Sequence, residues 1–102
     1  MDLSLKGRTA LVTGASTGIG HATAIELAAL GAKVVAHYNA SQGPAEELAA
    51  RIREAGGECE LVRADLSDPD GAEALAREVA ERFGPVDVLI NNAGGMLERS
   101  DP

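Results

Sequence analysis

Short apolar runs alternate along this chain with longer stretches in which apolar residues recur at helical spacing. The runs at 8–13, 33–38, 58–64 and 86–90 predict four β-strands. The stretches between them place apolar or small side chains three, four or seven positions apart, which predicts three amphipathic helices. The residues on these helical faces are Gly20, Ala24, Leu27, Ala28 and Gly31, then Ala45, Leu48, Ile52 and Ala55, and last Ala72, Leu75, Ala76, Val79 and Phe83.

Glycine, proline and polar residues mark where these helices begin and end. Gly31 is a natural stop for the first helix. The polar segment 39–43 predicts a turn, and Pro44 suits the first turn of the second helix. Asp68 followed by Pro69 predicts the start of the third helix, because the carboxylate can cap N–H groups and proline has no N–H to leave unpaired.

The βαβαβαβ order predicts an α/β fold, a doubly wound parallel sheet of the Rossmann type. Each connection is long enough for a right-handed crossover between parallel strands. We expect the strand order 3-2-1-4, with the first two helices on one face of the sheet and the third on the other. The fourth run, 86–90, is almost continuously apolar, which is typical of a buried interior strand. A ligand crevice is then expected between strands one and four.

Length and composition indicate one domain of a cytoplasmic protein. The chain has 102 residues, of which 45% are hydrophobic and 25% are charged, ordinary values for a globular domain. Apolar runs are far shorter than the ~20 residues that span a bilayer, and residues 1–8 lack the apolar core of a signal peptide. Cys59 is the only cysteine, so we expect a small buried side chain there and no internal disulfide.

The charge balance argues against nucleic acid as a partner. Sixteen acidic and nine basic residues give a net charge of −7, whereas a phosphate backbone is bound by clustered Lys and Arg. Tyr38 and Phe83 are the only aromatic residues, too few for a base-stacking surface. The acidic side chains are best interpreted as solvated helix faces.

The stretch 13–20, Thr-Gly-Ala-Ser-Thr-Gly-Ile-Gly, lies between the first strand and the first helix. Glycines at such a turn let the backbone bend sharply and approach a ligand, and the helix N-terminus directs N–H groups and a positive dipole end toward an anion. Gly14 would make the turn, Gly18 would admit a pyrophosphate, and Gly20 would let the helix pack against the sheet. Taken alone, the stretch is also compatible with a tight connection that binds nothing.

Three motifs together resemble the short-chain dehydrogenase/reductase family. They are Thr-Gly-x-x-x-Gly-Ile-Gly at 13–20, Asp-Leu at 65–66 and Asn-Asn-Ala-Gly at 91–94. The resemblance covers residues 6–94 and implies that residues 1–102 are the N-terminal part of a single dinucleotide-binding Rossmann domain. It also implies hydride transfer between a nicotinamide cofactor and a carbonyl or secondary alcohol, and a homo-oligomeric enzyme.

The resemblance implies a set of cofactor contacts. The residues that would contact the pyrophosphate and its ribose are Gly14, Ser16, Thr17, Gly18 and Ile19, with Gly20 behind them. Asp65 would accept a hydrogen bond from the adenine amino group, and Leu66 would lie beside the adenine ring. Asn91, Ala93 and Gly94 would border the two riboses. Two alternatives stay open. Asp65 could serve only to begin the turn into the third helix, and Asn91 and Asn92 could serve only to tie the loops together.

The end of the second strand bears on the choice of cofactor. A fold that selects NAD usually has an acidic residue there for the ribose hydroxyls, and a carboxylate repels the 2′-phosphate of NADP. The chain has Tyr38, Asn39 and Ser41 in this segment, so NADP(H) is favoured and NAD(H) remains possible. Thr17 departs from many NADP-using relatives, which carry Arg there. His37 is interpreted as a strand residue rather than a phosphate ligand.

The catalytic residues of the resembled family are not in this sequence. They are a Ser and a Tyr-x-x-x-Lys motif, whereas Tyr38 has Gln42 four positions later. We therefore expect this chain to be the cofactor-binding half of the enzyme, inert and marginally folded by itself. The missing C-terminal half is expected to pair beside the fourth strand. The alternative is a non-catalytic nucleotide-binding or interaction fragment. A methyltransferase-like domain is disfavoured, because Thr13 stands where that family has an acid.

Overall fold

The computed structural model describes residues 4–16 and 18–92, and its elements follow the predicted order. They are β1 (Thr9–Thr13), α1 (Gly18–Ala29), β2 (Lys33–Tyr38), α2 (Gln42–Glu54), β3 (Glu58–Arg63), α3 (Pro69–Phe83) and β4 (Val88–Asn91). In these ranges no helix is long and apolar enough to cross a membrane.

The four strands form one parallel sheet in the order β3-β2-β1-β4, which confirms the predicted topology. β1 and β4 are neighbours and pair Thr13 with Asn91 at their carboxyl ends. β2 and β3 pair Tyr38 with Arg63 at the same edge of the sheet. The segments that follow all four strands therefore meet at one edge.

Two apolar clusters flank the sheet, as the predicted helix placement requires. α1 and α2 cover one face, where Ala24, Leu48 and Ile52 pack with Val12 and Val34. α3 covers the other face with Leu75 and Val79, which pack on Leu11, Val35 and Val62. Cys59 is buried in the first cluster, and burial raises the pKa of its thiol to about 11.

Two predicted boundaries are wrong by a few residues. α2 begins at Gln42, so residues 42 and 43 are helical rather than part of the turn. β4 begins at Val88 instead of residue 86. Asp87 lies before the strand because both its backbone and its side chain bind Thr9: the Asp87 amide donates to the Thr9 carbonyl at 2.8 Å, and a carboxylate oxygen accepts from the Thr9 amide at 2.8 Å.

The outer edge of β4 is unpaired in the described part of the chain, as predicted for a fourth strand beside which further chain would pair. β4 pairs with β1 alone in this sheet, and Leu89 is 60% exposed. α3 packs over β1, β2 and β3 through Leu75 and Val79, and does not cover Leu89. For the same reason Ala72 and Ala76, predicted to be on the apolar face of α3, are exposed.

Candidate functional site

Gly14, the first residue after β1, is held by two neighbouring strands. Its amide donates to Nδ1 of His37 at 3.0 Å, and its carbonyl accepts from Nδ2 of Asn92 at 3.1 Å. The next amide, that of Ala15, donates to the His37 carbonyl at 2.9 Å. Gly14 has a φ of 61°, a conformation that glycine adopts without steric cost. The glycine-rich loop is therefore fixed from β2 on one side and from the end of β4 on the other.

Gly18 begins α1 on the open side of this loop. Its φ is 58°, it is exposed, and a Cβ built on it would have no other atom within 4 Å. No acidic side chain occurs in the first turn of α1, where the helix dipole favours an anion. Ile19, the next residue, is 77% exposed. The start of α1 thus offers a bare backbone surface with room for a phosphate.

Gly20 lies where α1 closely approaches the segments that follow β1 and β4. A Cβ at this position would meet the carbonyl oxygen of Gly14 and would lie 2.9 Å from Nδ2 of Asn92. The close approach that requires glycine here is therefore to the loop directly after β1 and to the Asn92 amide directly after β4. Any larger residue would disturb the hydrogen bond between Asn92 and Gly14.

The segment after β2 carries the predicted selectivity residues. Tyr38 is half-buried and Asn39 is exposed. Ser41 is the N-cap residue of α2, and its hydroxyl makes no capping hydrogen bond. Nε of Arg63, at the end of β3, donates to the Asn39 carbonyl at 2.8 Å. The guanidinium of Arg63 therefore lies beside segment 38–41, which has no charged side chain.

Asp65 is exposed and forms the turn between β3 and α3. One carboxylate oxygen, Oδ1, accepts from the Ser67 amide at 3.0 Å and from the Ser67 hydroxyl at 2.6 Å. These two bonds, the hydroxyl bond first, hold the pKa of Asp65 below its usual range, and the Arg63 guanidinium acts in the same direction. The turn-forming role of Asp65 is thus present, and the carboxylate still faces solvent at the sheet edge.

α3 approaches this turn closely through Gly71. A Cβ on Gly71 would meet the carbonyl oxygen of Asp65 and would lie 3.1 Å from its carbonyl carbon. The helix start itself follows the prediction, because the Asp68 carboxylate accepts from the Asp70 amide at 3.0 Å and Pro69 is the first helical residue. The glycine lets the helix pack directly against the backbone of the turn.

The end of β4 is tied to β1 by side chains. The Thr13 hydroxyl lies 3.2 Å from Oδ1 of Asn91 and 3.4 Å from the Ile90 carbonyl. With the bond from Asn92 to Gly14, the two asparagines do connect the loops, as one of the two interpretations expected. The predicted site residues Thr17, Ala93 and Gly94 lie outside the described residues.

A cavity of about 500 Å³ opens at this edge on the α3 face of the sheet. Its polar lining is Thr13, His37, Asn39, Asp65, Ser67 and Asn91, and its apolar lining is Leu11, Leu66, Ala72, Leu75, Ala76 and Leu89. Of the predicted site residues, the structure thereby brings Asn39, Asp65, Leu66 and Asn91 to one cavity. In the ranges described, no three His, Cys, Asp or Glu residues are grouped so that they could hold a metal ion.

Comparison with known proteins identifies the family to which this chain belongs. The family model described as short chain dehydrogenase matches residues 8–102. The chain belongs to the short-chain dehydrogenase family. The resemblance that the three motifs indicated is confirmed.

Individual family members are similar over most of this chain. L-rhamnose 1-dehydrogenase (NAD(P)(+)) of Sphingomonas sp. strain SKA58 is 47% identical over 90 residues, 88% of this chain and 35% of the relative. A dehydrogenase/reductase from Sinorhizobium meliloti 1021 is 41% identical with a TM-score of 0.85, over 89% of this chain and 36% of that one. A metagenomic short-chain oxidoreductase in complex with NADP is 43% identical with a TM-score of 0.82, and the match covers 86% of this chain and 39% of that one. The chain therefore spans little more than a third of the length of such relatives.

Sequence reasoning missed three residues of this short-chain dehydrogenase site. His37 was assigned to the strand, but its ring binds the glycine loop. Arg63 was not considered, although the parallel register of β2 and β3 places it opposite Tyr38. Gly71 was overlooked because a glycine inside a helical pattern gives no sign of what it approaches.

Proposed function

We propose that the protein carrying this chain is an oxidoreductase that transfers a hydride between NADP(H) and a small carbonyl or secondary alcohol, and that this chain binds the dinucleotide. The observation that carries the proposal is the glycine loop. Gly14 is held by His37 and Asn92, while Gly18 leaves open space at the start of α1. Membership of the short-chain dehydrogenase family supports the same function.

The described residues fit a dinucleotide at this edge of the sheet. The backbone N–H groups at Gly18 and the start of α1 would hold the pyrophosphate, with Ser16 beside it, since a helix N-terminus favours an anion. Gly14 would shape the loop, because its own N–H and carbonyl are bonded to His37 and Asn92. Asp65 would accept from the adenine amino group, because its pKa is lowered and its exposed carboxylate remains ionised. Leu66 offers an apolar surface beside it in the same cavity.

NADP(H) is the preferred cofactor in this proposal. Tyr38 replaces the acidic residue that would repel a 2′-phosphate. Asn39 and Ser41 supply neutral donors, and the guanidinium of Arg63 adds positive charge beside Asn39. The similar metagenomic oxidoreductase was solved with NADP.

The bound nicotinamide supplies the hydride chemistry, and the residues of this chain bind and orient the cofactor. The Tyr-x-x-x-Lys motif that exchanges the substrate proton in the family does not occur among these 102 residues, because the only tyrosine, Tyr38, has Gln42 four positions later. The chain's contribution is therefore to hold the phosphates, the adenine and the 2′-phosphate in fixed positions. The substrate is selected elsewhere in the protein.

A steady-state assay of the intact protein tests the proposed function. NADPH and NADH are each offered with a panel of ketones and aldehydes, and the reverse reaction uses secondary alcohols with NADP. We expect loss of reduced-nicotinamide absorbance with at least one carbonyl, and faster turnover with NADPH. Tight NADPH binding without turnover on any substrate would favour a non-catalytic nucleotide-binding protein. Failure to bind either dinucleotide would refute the proposal.

A further inference from the structure

The imidazole of His37 is buried between two parts of the candidate site. The residue is 3% exposed, and both ring nitrogens have backbone partners. Nδ1 lies 3.0 Å from the amide nitrogen of Gly14, and Nε2 lies 2.8 Å from the carbonyl oxygen of Ala64. Gly14 opens the glycine loop, and Ala64 immediately precedes Asp65. One side chain therefore joins the phosphate loop to the turn at the adenine end.

These two partners determine where the imidazole carries its hydrogen. A backbone amide can only donate, so Nδ1 must accept from Gly14. A carbonyl can only accept, so Nε2 must donate to Ala64. A neutral ring with its hydrogen on Nε2 satisfies both contacts. A second proton on Nδ1 would face the Gly14 N–H and break that contact.

We propose that His37, as a neutral imidazole with its hydrogen on Nε2, is a positioning residue that keeps the phosphate loop and the adenine turn in the spacing that a dinucleotide requires. This inference rests on the proposed function, because it assigns a purpose to the spacing. A dinucleotide contacts both segments at once, and holding them before binding lowers the ordering cost of association.

The backbone around His37 supports this role. The Ala15 amide donates to the His37 carbonyl at 2.9 Å, and the Ala64 amide donates to the Tyr38 carbonyl at 3.1 Å. The end of β2 is thus bonded to the glycine loop on one side and to the end of β3 on the other. The ring adds a direct connection between the two outer segments. A buried imidazole needs two hydrogen-bond partners, and both partners of His37 lie in turns at the candidate site.

Two substitutions separate the contacts of the ring. His37→Leu removes both hydrogen bonds and keeps an apolar side chain of similar bulk. His37→Asn keeps an acceptor oxygen near the position of Nδ1, while its shorter side chain gives up the donor to Ala64. We expect His37→Leu to weaken NADPH binding by about five- to tenfold, the loss typical of one or two hydrogen bonds. His37→Asn should recover only part of that affinity, because the contact with Gly14 returns while the link to Ala64 stays broken.

The experiment uses the intact protein and three readouts. Equilibrium titration gives NADPH affinity, hydrogen exchange follows the Gly14 amide without ligand, and nitrogen NMR of the imidazoles reports the tautomer. His21 is the only other histidine, so a His21→Gln variant assigns the signals. We expect hydrogen on Nε2 alone, faster Gly14 exchange in His37→Leu, and restored Gly14 protection in His37→Asn.

Several results would overturn the inference. One is hydrogen on Nδ1 of His37, and another is a His37→Leu protein with unchanged Gly14 exchange and unchanged NADPH affinity. A third is a folded His37→Asn protein that binds NADPH as tightly as the wild type, because the link to Ala64 would then be unnecessary. If His37→Leu does not fold, the wild-type tautomer and the His37→Asn protein decide. A wild-type protein that shows the expected tautomer and Gly14 protection but binds no NADPH would refute the proposed function and with it the assigned purpose of the spacing.

Discussion

Nε of Arg63 donates a hydrogen bond to the backbone carbonyl of Asn39 across the ends of two parallel strands, at 2.8 Å. The contact keeps a guanidinium at the segment 38–41, where no acidic residue occurs. The same guanidinium contributes, after the Ser67 hydrogen bonds, to the lowered pKa of Asp65. Under the proposed preference for NADP(H), this positive charge would attract the 2′-phosphate in place of an arginine at position 17.

Arg63→Gln should therefore weaken NADPH binding by about three- to tenfold and leave NADH binding nearly unchanged, since only NADPH has the 2′-phosphate. The affinity for NADPH should also become less sensitive to salt, because one exposed charge interaction is lost. Titrations of both dinucleotides at two ionic strengths measure this. Arg77→Gln removes an equal charge from the exposed face of α3 and is the control. Equal losses for NADPH and NADH would contradict a phosphate contact.

Tyr38→Asp should reverse the cofactor preference. A carboxylate at the end of β2 would accept hydrogen bonds from ribose hydroxyls and would repel the 2′-phosphate. A charged hydrogen bond contributes ~1.5–3 kcal/mol, so we expect the ratio of kcat/KM for NADPH over NADH to fall by about tenfold or more. Tyr38→Asn removes the ring without adding charge and should change the ratio far less. A wild-type enzyme that uses NADH as well as NADPH would contradict the assignment of Tyr38.

Ser67→Ala should raise the pKa of Asp65 toward its ordinary value. The Ser67 hydroxyl, 2.6 Å from Oδ1, is the main cause of the lowered pKa. Because the folded pKa is depressed, the stabilising effect of this carboxylate is complete above its unfolded pKa and is lost as pH falls through the folded pKa. NMR titration of the Asp65 carboxyl measures the shift, and Ser67→Thr, which keeps a hydroxyl, should leave it in place. An unchanged titration in Ser67→Ala would exclude this cause.

Asp87→Ala should destabilise the fold by about 1–2 kcal/mol, because the Thr9 amide loses its acceptor. The ion pair of Asp87 with Arg8 at 3.5 Å is mostly exposed on the Arg8 side and contributes little. Asp87→Asn should therefore retain most of the stability, since its side-chain oxygen can still accept. Urea unfolding of the three proteins gives the comparison. A loss in Asp87→Asn as large as in Asp87→Ala would show that charge, and not the hydrogen bond, is responsible.

The fold could be predicted from the sequence because the apolar runs, the helical spacing and the capping residues are local features that agree with one another. β2 at Lys33–Tyr38 matches its apolar run. The long connections predicted parallel strands, and the strand order is the one expected of a doubly wound sheet. The start of α3 followed from Asp68 and Pro69, whose capping contact is present. The apolar composition of β4 predicted an interior strand with an open outer edge in this chain, and the extent to which Leu89 is exposed depends on which elements lie beside it, which no local pattern reports.

The candidate site could be predicted only in part, because many of its contacts join residues that are distant in the sequence. Glycine spacing indicated the loop, yet the bond from His37 to Gly14 depends on side-chain direction between two strands. The role of Gly20 also required the position of Asn92, which is distant in sequence. Arg63 could have been found by pairing β2 and β3 in register and asking which side chains reach segment 38–41.

The central claim is that the backbone at Gly18 faces the cofactor phosphates. A Cβ on Gly18 meets no protein atom within 4 Å, so a side chain there would occupy the space assigned to the ligand. Gly56, at the end of α2, also has a positive φ and an open surround, but it is far from the site in the fold. Gly56→Val therefore carries a similar backbone strain of about 1–2 kcal/mol without touching the loop.

The most direct measurement is NADPH affinity in Gly18→Val and Gly56→Val variants of the intact protein, with thermal unfolding to confirm that both remain folded. We predict that Gly18→Val abolishes detectable NADPH binding, whereas Gly56→Val binds as tightly as the wild type. A folded Gly18→Val protein with undiminished NADPH affinity would contradict the placement of the phosphates at this loop.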